Sequence, residues 1–246
     1  MKKFVDLHLR PPINNLGQVE RMVKQSSDLG YRSVGMPLPS NIKREETQQL
    51  KTICEDIGVD LVTRIDLVPR TSNELLRNLR RFRRKFEVIS VTCNSKSVAR
   101  QAAKDRRVDL LGFSSGFSRN RFFDNAEAEL ASKAEGALEI DMASLLHLTG
   151  FPRIRFLSNL RKEVAIAEKF KVPIVISSGA TDASLLRRPY DYAALATLFD
   201  LHTSLALRGL SENPLGIVER NRKKLSAGYV APGLFVVRDV KRCLDA

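Results

Sequence analysis

Residues 59–92 read VDLVTRIDLVPRTSNELLRNLRRFRRKFEVISVT and contain one complete strand–helix–strand unit. The β-branched run Val59–Asp66 predicts a strand, and Glu87–Thr92 predicts a second one. Between them, Ser72–Lys85 has the apolar spacing of an amphipathic helix. Two strands joined through a helix lie parallel in one sheet. This segment therefore predicts an α/β fold.

The same alternation continues on both sides of this unit. Further strands are predicted at Lys3–Leu7, Ser33–Met36, Val108–Phe113, Ala137–Met142 and Val172–Ser178. Further helices are predicted at Leu16–Gly30, Arg44–Gly58, Ser95–Lys104, Ile154–Phe170, Tyr190–Leu201 and Asn213–Leu225. A weak strand is predicted at Leu234–Val237, and the sequence leaves open whether it completes the barrel. About seven or more parallel strands in this length indicate an irregular TIM-barrel-like α/β barrel, with residues 1–246 as a single domain.

Composition excludes several classes of protein. With 43% hydrophobic and 28% charged residues, the chain is neither fibrous nor extensively disordered. No apolar run approaches the roughly 20 residues that cross a bilayer, and Asp6 interrupts any signal peptide, so we expect a cytoplasmic protein. Cys54, Cys93 and Cys243 are widely spaced, which argues against a disulfide framework or a zinc ribbon.

The net charge of +13 points to a polyanionic partner, because cations in such excess attract nucleic acids. The excess is concentrated: residues 71–122 hold 13 basic and 4 acidic side chains, whereas residues 123–150 hold 1 basic and 6 acidic ones. Three basic clusters and one segment with interleaved phenylalanines are the predicted RNA contacts. They comprise Arg80, Arg81, Arg83, Arg84, Lys85, Arg119, Arg121, Arg187, Arg188, Arg222 and Lys223. A solvated helix face near a partner protein is the alternative for Arg80–Lys85, and the third cluster, Arg220, Arg222, Lys223 and Lys224, is equally ambiguous. For the segment with phenylalanines, the alternative is that these rings close the core.

Polar residues stand in pairs at the predicted strand ends, where the functional face of a barrel lies. Asp6 and His8, Arg64 and Asp66, and Glu139 and Asp141 are each two residues apart, so both members of a pair project to one side of the strand. Acids and a histidine that converge there have the donors for divalent metals. With only three histidines, however, the chain cannot build a multinuclear site on imidazole.

These motifs resemble the metal motifs of the polymerase and histidinol phosphatase superfamily, whose barrels hydrolyse phosphoesters. The resemblance is carried by Phe4–His8, Leu138–Asp141 and Ser178–Ser184. The superfamily has a second histidine where this chain has Arg10, and Asp-x-His where this chain has Asp182-Ala183-Ser184. The resemblance therefore implies a vestigial metal site, formed by Asp6, His8, Glu139, Asp141 and Asp182, that binds no metal.

Within that superfamily, the chain most closely resembles the ribonuclease P protein component 3 family, which shares such losses. The likeness extends over most of the chain and is most specific from Val172 through Ala180, in the segment Arg188–Asp191 and at Asn213-Pro214. The resemblance implies a subunit of the ribonucleoprotein endonuclease that removes 5′ leaders from precursor tRNA. In that assembly the RNA is the catalyst and carries the Mg²⁺ ions. The chain would supply no catalytic residue, bind no cofactor, pair with component 2 and meet the tRNA indirectly.

Two other functions stay open at this stage. An active metal-dependent phosphoesterase would use the reduced set of acids and His8. A metabolic barrel enzyme would use Ser177–Ala180 as a phosphate cradle, but it leaves the net charge unexplained. If no metal is bound, the acids at the strand ends need a counter-charge, because unpaired buried carboxylates are costly. We expect Arg64 to pair with one of them.

Overall fold

Seven parallel strands form a nearly closed barrel in the computed structural model, which describes residues 2–113, 123–231 and 234–235. The strands follow chain order around the sheet, each hydrogen-bonded to the next. They are β1 Phe4–Asp6, β2 Tyr31–Pro37, β3 Asp60–Leu67, β4 Val88–Thr92, β5 Leu110–Gly112, β6 Ala137–Asp141 and β7 Ile174–Ser177. The predicted α/β barrel and its seven clear strands are confirmed.

Helices surround the barrel. They are α1 Leu16–Asp28, α2 Arg44–Asp56, α3 Ser72–Phe82, α4 Lys96–Lys104, α5 Asn125–Ala134, α6 Met142–His147, α7 Gly150–Lys169, α8 Pro189–Ala196, α9 Thr203–Gly209 and α10 Glu212–Leu225. Local chemistry sets several ends: the side chains of Thr71 and Ser95 accept backbone hydrogen bonds at the starts of α3 and α4. Gly30 and Gly58 end α1 and α2 with positive φ, as glycine allows.

The barrel interior has an apolar lower layer and a polar upper layer. One buried cluster includes Val5, Val62, Val88, Leu110, Ala137 and Val175, together with Ile217 and Val218 of α10. Two residues further along their strands, and therefore on the same side, come Arg64, Ser90, Glu139 and Ser177. The side chains of Arg64, Ser90 and Ser177 all donate hydrogen bonds to Glu139. The alternation of each strand thus delivers the polar groups together to the carboxyl end of the barrel, called the mouth below.

A helical turn fills the place between β7 and β1, where a complete barrel would have an eighth strand. Val5 N donates to Leu210 O at 2.9 Å, and Asn213 Nδ2 donates to Ile174 O at 2.7 Å, so the turn after α9 and the first turn of α10 each bond to one edge strand. The weak strand at the end of the sequence does not join the barrel in the described residues. Residues Leu234–Phe235 (β9) pair antiparallel with Tyr229–Ala231 (β8) in a separate sheet.

Three short helices, α5, α6 and α9, were not predicted from the sequence, and α7 begins at Gly150, four residues before its predicted start. Within the described parts of the chain, none of the helices combines the length and the apolarity needed to span a membrane.

Candidate functional site

A buried ion pair lies at the centre of the mouth. Arg64 of β3 donates from Nη1 to Glu139 Oε1 at 2.5 Å and from Nη2 to Glu139 Oε2 at 2.7 Å. The two side chains are 1% and 3% exposed. Such a parallel two-bond pair is the strongest geometry available to arginine and a carboxylate. It confirms the expectation that Arg64 is the counter-charge of one of the strand-end acids.

Both oxygens of Glu139 have a second donor. Ser177 Oγ donates to Oε1 at 2.8 Å, and Ser90 Oγ donates to Oε2 at 3.0 Å. On the other side of the pair, Arg64 Nη1 also donates to the carbonyl oxygen of Leu7 at 2.9 Å. Full hydrogen bonding of this kind is what makes a buried ion pair tolerable.

His8 bridges two further carboxylates. Its Nδ1 lies 2.8 Å from Asp141 Oδ1, and its Nε2 lies 3.0 Å from Asp66 Oδ2. Burial and Arg64 both favour neutral imidazole, but the bonded Asp141 and Asp66 outweigh them and raise the pKa of His8 to about 9. Burial raises the pKa of Asp66, but Arg64 and His8 bring it well below the ordinary aspartate value. His8 is therefore an imidazolium at neutral pH.

Asp6 and Asp182, the other two predicted remnants of the metal site, occupy different positions. Asp6 is buried in β1, where its Oδ1 accepts hydrogen bonds from Ser178 N at 2.9 Å and from His8 N at 3.1 Å. Burial raises the pKa of Asp6 above its usual value. Asp182 is exposed and accepts a hydrogen bond from Ser184 N, at the start of a short 3-10 helix. It therefore serves a local turn.

The mouth does not fit a divalent cation, although His8, Glu139 and Asp141 bring ligand atoms within 4.8 Å of one another. A metal ligand needs a free lone pair. Protonated His8 offers none, and both Glu139 oxygens already accept two hydrogen bonds each. The guanidinium of Arg64 also places a positive charge among these acids. The groups that would hold a metal instead hold a cationic side chain.

Above the ion pair, the mouth opens into a cavity of about 340 Å³. Its lining includes the charged residues Arg10 and Asp66 and the apolar residues Phe113, Phe156 and Leu160. Arg10 stands where the superfamily resemblance has its second histidine, so two arginines, Arg10 and Arg64, line this cavity.

Of the predicted RNA contacts at the end of α3, four are exposed and one is not. Arg80, Arg81, Arg84 and Lys85 face solvent, and Leu79, Phe82 and Phe86 are buried as the apolar side. Arg83 instead turns toward the protein, where it donates to Asp109 Oδ2 at 2.5 Å and to the carbonyl oxygens of Phe86 and Glu87.

The other predicted contacts divide in the same way. Arg222 is held by Glu87 and Asp60, with its Nε 2.5 Å from Glu87 Oε1. Arg187 donates to the carbonyl oxygens of Ser184 and Leu186. Arg188 and Lys223 are exposed. Arg119 and Arg121 lie outside the described residues. RNA contact by any of these residues stays a prediction.

Sequence reasoning missed the polar network on the opposite, amino-terminal end of the barrel. Asp109, just before β5, accepts hydrogen bonds from Arg83, from Arg220 Nη2 at 3.0 Å and from Asn221 Nδ2 at 2.8 Å. Arg220 and Asn221 belong to α10, which closes this end with Ile217 and Val218. The sequence holds no local signal for it, because α10 and Asp109 are more than 100 residues apart.

The fold and the mouth define a TIM-barrel-like protein with a buried arginine–glutamate ion pair at the carboxyl end of the barrel. The chain belongs to the RNase P subunit p30 family, whose sequence profile matches residues 3–226. It is 29% identical to ribonuclease P protein component 3 of Methanosarcina barkeri over 96% of this chain and 97% of that protein. It is 32% identical to the protein of the same name from Methanosarcina acetivorans over 73% and 74%, respectively.

Solved structures agree on the fold. A chain of an archaeal ribonuclease P determined by cryo-electron microscopy with mature tRNA superposes with a TM-score of 0.83 at 22% identity, over 96% of this chain and 99% of that one. A putative prolidase from Bifidobacterium longum superposes less closely, with a TM-score of 0.55 at 10% identity, over 90% of this chain and 70% of that one.

Proposed function

We propose that this chain is a protein subunit of ribonuclease P, the ribonucleoprotein that removes 5′ leaders from precursor tRNA. The observation that carries the proposal is family membership over residues 3–226, with relatives named ribonuclease P protein component 3 that align over nearly their whole length. In this assignment the chain binds the catalytic RNA together with component 2 and other subunits, and it meets precursor tRNA indirectly.

The surface charge supports RNA as the direct ligand. The chain carries a net charge of +13, and exposed cations without an acidic partner among the described residues, such as Arg80 and Lys85, stand on the outside of the barrel. Cations of this kind bind phosphates without reading sequence. This is the behaviour expected of a protein that supports a structured RNA.

We also propose that the chain itself binds no metal and no other cofactor, and that the Mg²⁺ ions of the reaction belong to the RNA. The support is the Arg64–Glu139 pair together with the doubly bonded His8, which use the donors that a metal would need. We further propose that the chain is located in the cytoplasm, where its RNA substrate is processed.

Purification of the tagged chain under native conditions tests the assignment, with sequencing of the RNA and mass spectrometry of the proteins that accompany it. Enrichment of ribonuclease P RNA and component 2 is the expected result. The matched control is an Arg64→Met variant, whose RNA recovery should fall only in proportion to its folded fraction. Efficient hydrolysis of a phosphodiester by the RNA-free chain with Mn²⁺ would contradict the proposal in favour of a metal-dependent phosphoesterase.

A further inference from the structure

A cavity of about 520 Å³ at the amino-terminal end of the barrel is lined by five cations. The ends of α3 and α4 supply four of them, because helices of a β/α barrel run opposite to its strands and finish at this end, and α10, which closes this end, supplies the fifth. The cations are Arg83 and Arg84 after α3, Arg106 and Arg107 after α4, and Lys224 of α10. The other lining residues are Asn221, Leu225, Ser226, Tyr229 and Val230, so no carboxylate of the described residues lines the cavity.

The acids that act on the cavity cations have partners of their own, and one of them, Glu135, pairs with Arg220 at 3.2 Å. Asp109 is 1% exposed and pairs with Arg83 and Arg220. Asp105 holds Arg107 through two bonds, at 2.9 Å from Nε and 2.7 Å from Nη2. These two ion pairs therefore belong to the protein and account for two of the five cations.

The remaining three cations, Arg84, Arg106 and Lys224, are exposed and have no ion pair with any carboxylate of the described residues. Desolvation and the positive field of Arg220 lower the pKa of Lys224. Like charges held around one concave space repel each other unless an anion is bound between them. The carbonyl ends of the helices relieve only part of this repulsion.

We infer that the space between Arg84, Arg106 and Lys224 binds a phosphate group of the RNA backbone. This inference rests on the proposed function and specifies where the RNA is held. Guanidinium groups bind phosphate oxygens through paired N–H donors, and a lysine adds a mobile point charge. The exposed Arg80, Arg81 and Lys85 extend the positive surface beyond the cavity, as a polymer of phosphates requires and a small phosphorylated molecule does not.

One of these three residues, Arg106, lies outside the basic clusters that the sequence predicts. Arg106 and Lys224 join the site because α4 and α10 end beside α3, whereas the predicted contacts Arg83 and Arg222 are committed to Asp109 and Glu87. Within the stretch Arg80–Lys85, the site therefore assigns Arg84 to the phosphate and Arg83 to the fold.

The test compares two triple variants of the full chain. One removes the cavity cations (Arg84→Gln, Arg106→Gln and Lys224→Gln). The matched control removes two arginines and a lysine that are equally exposed and have no ion pair among the described residues (Arg44→Gln, Arg70→Gln and Lys162→Gln). Arg44 and Arg70 lie at the mouth end, and Lys162 lies on α7. Both variants carry the same net charge, so a difference between them reports position.

Binding of transcribed ribonuclease P RNA is measured from 50 to 300 mM KCl. The cavity variant should bind the RNA roughly tenfold more weakly than the control. In a plot of log K against log salt concentration, the steepness of its line should decrease by roughly 0.7 to 0.9 for each phosphate that the protein no longer neutralises. Equal affinities and slopes for the two variants would overturn the inference while leaving the proposed function intact.

Inorganic pyrophosphate is the second probe, followed by thermal unfolding at constant ionic strength. If the wild-type chain shows no preference for ribonuclease P RNA over an unrelated transcript, the proposed function fails. In that outcome, the pyrophosphate measurement decides what the cavity binds. If pyrophosphate stabilises the wild type and the control but not the cavity variant, the cavity binds a small phosphorylated ligand and the assignment to RNA is overturned.

Discussion

Gly35 lies so close to Leu7 that a β-carbon at position 35 would be 2.5 Å from the carbonyl oxygen of Leu7. The close packing of these two backbones allows two hydrogen bonds. Leu9 N donates to Gly35 O at 2.9 Å, and the carbonyl oxygen of Leu7 accepts from Arg64 Nη1 at 2.9 Å. Only a residue without a side chain lets the end of β1 approach β2 and reach the buried guanidinium. The backbone at this glycine therefore supports the polar layer of the mouth.

Gly35→Ala should lower the free energy of unfolding by roughly 1–3 kcal/mol, because the added methyl group meets backbone rather than a movable side chain. The control is Gly216→Ala on the exposed side of α10, where a β-carbon meets nothing within 4 Å. That change should stabilise the protein by up to about 1 kcal/mol. Urea unfolding of both variants measures the two effects, and equal stabilities would show that β1 can move away from β2 at little cost.

Arg64→Met leaves Glu139 buried with no counter-charge, and it should cost about 3–5 kcal/mol of unfolding free energy. The double variant Arg64→Met with Glu139→Gln removes the uncompensated charge and keeps a group that Ser177 and Ser90 can bond. It should recover more than half of the loss. Denaturant unfolding measures both variants. A single variant within about 1 kcal/mol of the wild type would mean that solvent reaches Glu139.

Asp109→Asn removes the shared counter-charge of Arg83 and Arg220 and should destabilise the protein by about 3 kcal/mol. Asp60→Asn is the control, because Asp60 is half exposed and its partner Arg222 keeps Glu87. Its cost should stay below about 1 kcal/mol. Amide hydrogen exchange of α10 would show whether the lost stability arises where Asp109 holds this helix against the barrel. Unchanged protection of α10 in Asp109→Asn would contradict the role of this network in holding the helix against the barrel.

The fold was predictable because its signals are local. Strands such as β3, β4 and β7 have runs of β-branched residues, and helices such as α3 and α4 have an apolar side. Both patterns can be recognised within a short stretch of sequence. An acidic partner for Arg64 was also predictable, because a charge at the end of a buried strand needs an opposite charge. The helices that were missed are short, and α5 is rich in alanine, so neither length nor amphipathic pattern separates them from loops.

The candidate RNA site was less predictable, because it depends on which cations the protein itself uses. A helical pattern shows that five cations within Arg80–Lys85 cannot all face the core, but it does not choose among them. Arg83 is four residues after Leu79 and three before Phe86, so it stands beside the apolar side of α3 and reaches Asp109. That acid and the α10 partner Asn221 are 112 residues apart in sequence.

His8 makes the stability of the mouth depend on pH in a defined direction. Its pKa is about 9 in the folded protein, above the ordinary value of 6.5, because Asp141 and Asp66 hold the imidazolium. Folding therefore favours the protonated form, and the contribution is complete below pH 6.5 and is lost as pH rises through 9. Other groups titrate in the same range, so the informative quantity is the difference between the wild type and His8→Gln.

The difference in unfolding free energy should be largest at about pH 6 and shrink by a few kcal/mol by about pH 10, with most of the change between pH 6.5 and 9. Urea unfolding at several pH values measures it. His147→Gln, at an exposed histidine at the end of α6, is the control and should leave stability nearly unchanged. A constant difference between wild type and His8→Gln over this range would show that His8 is neutral in the folded protein, and one objection to a metal at the mouth would then fall.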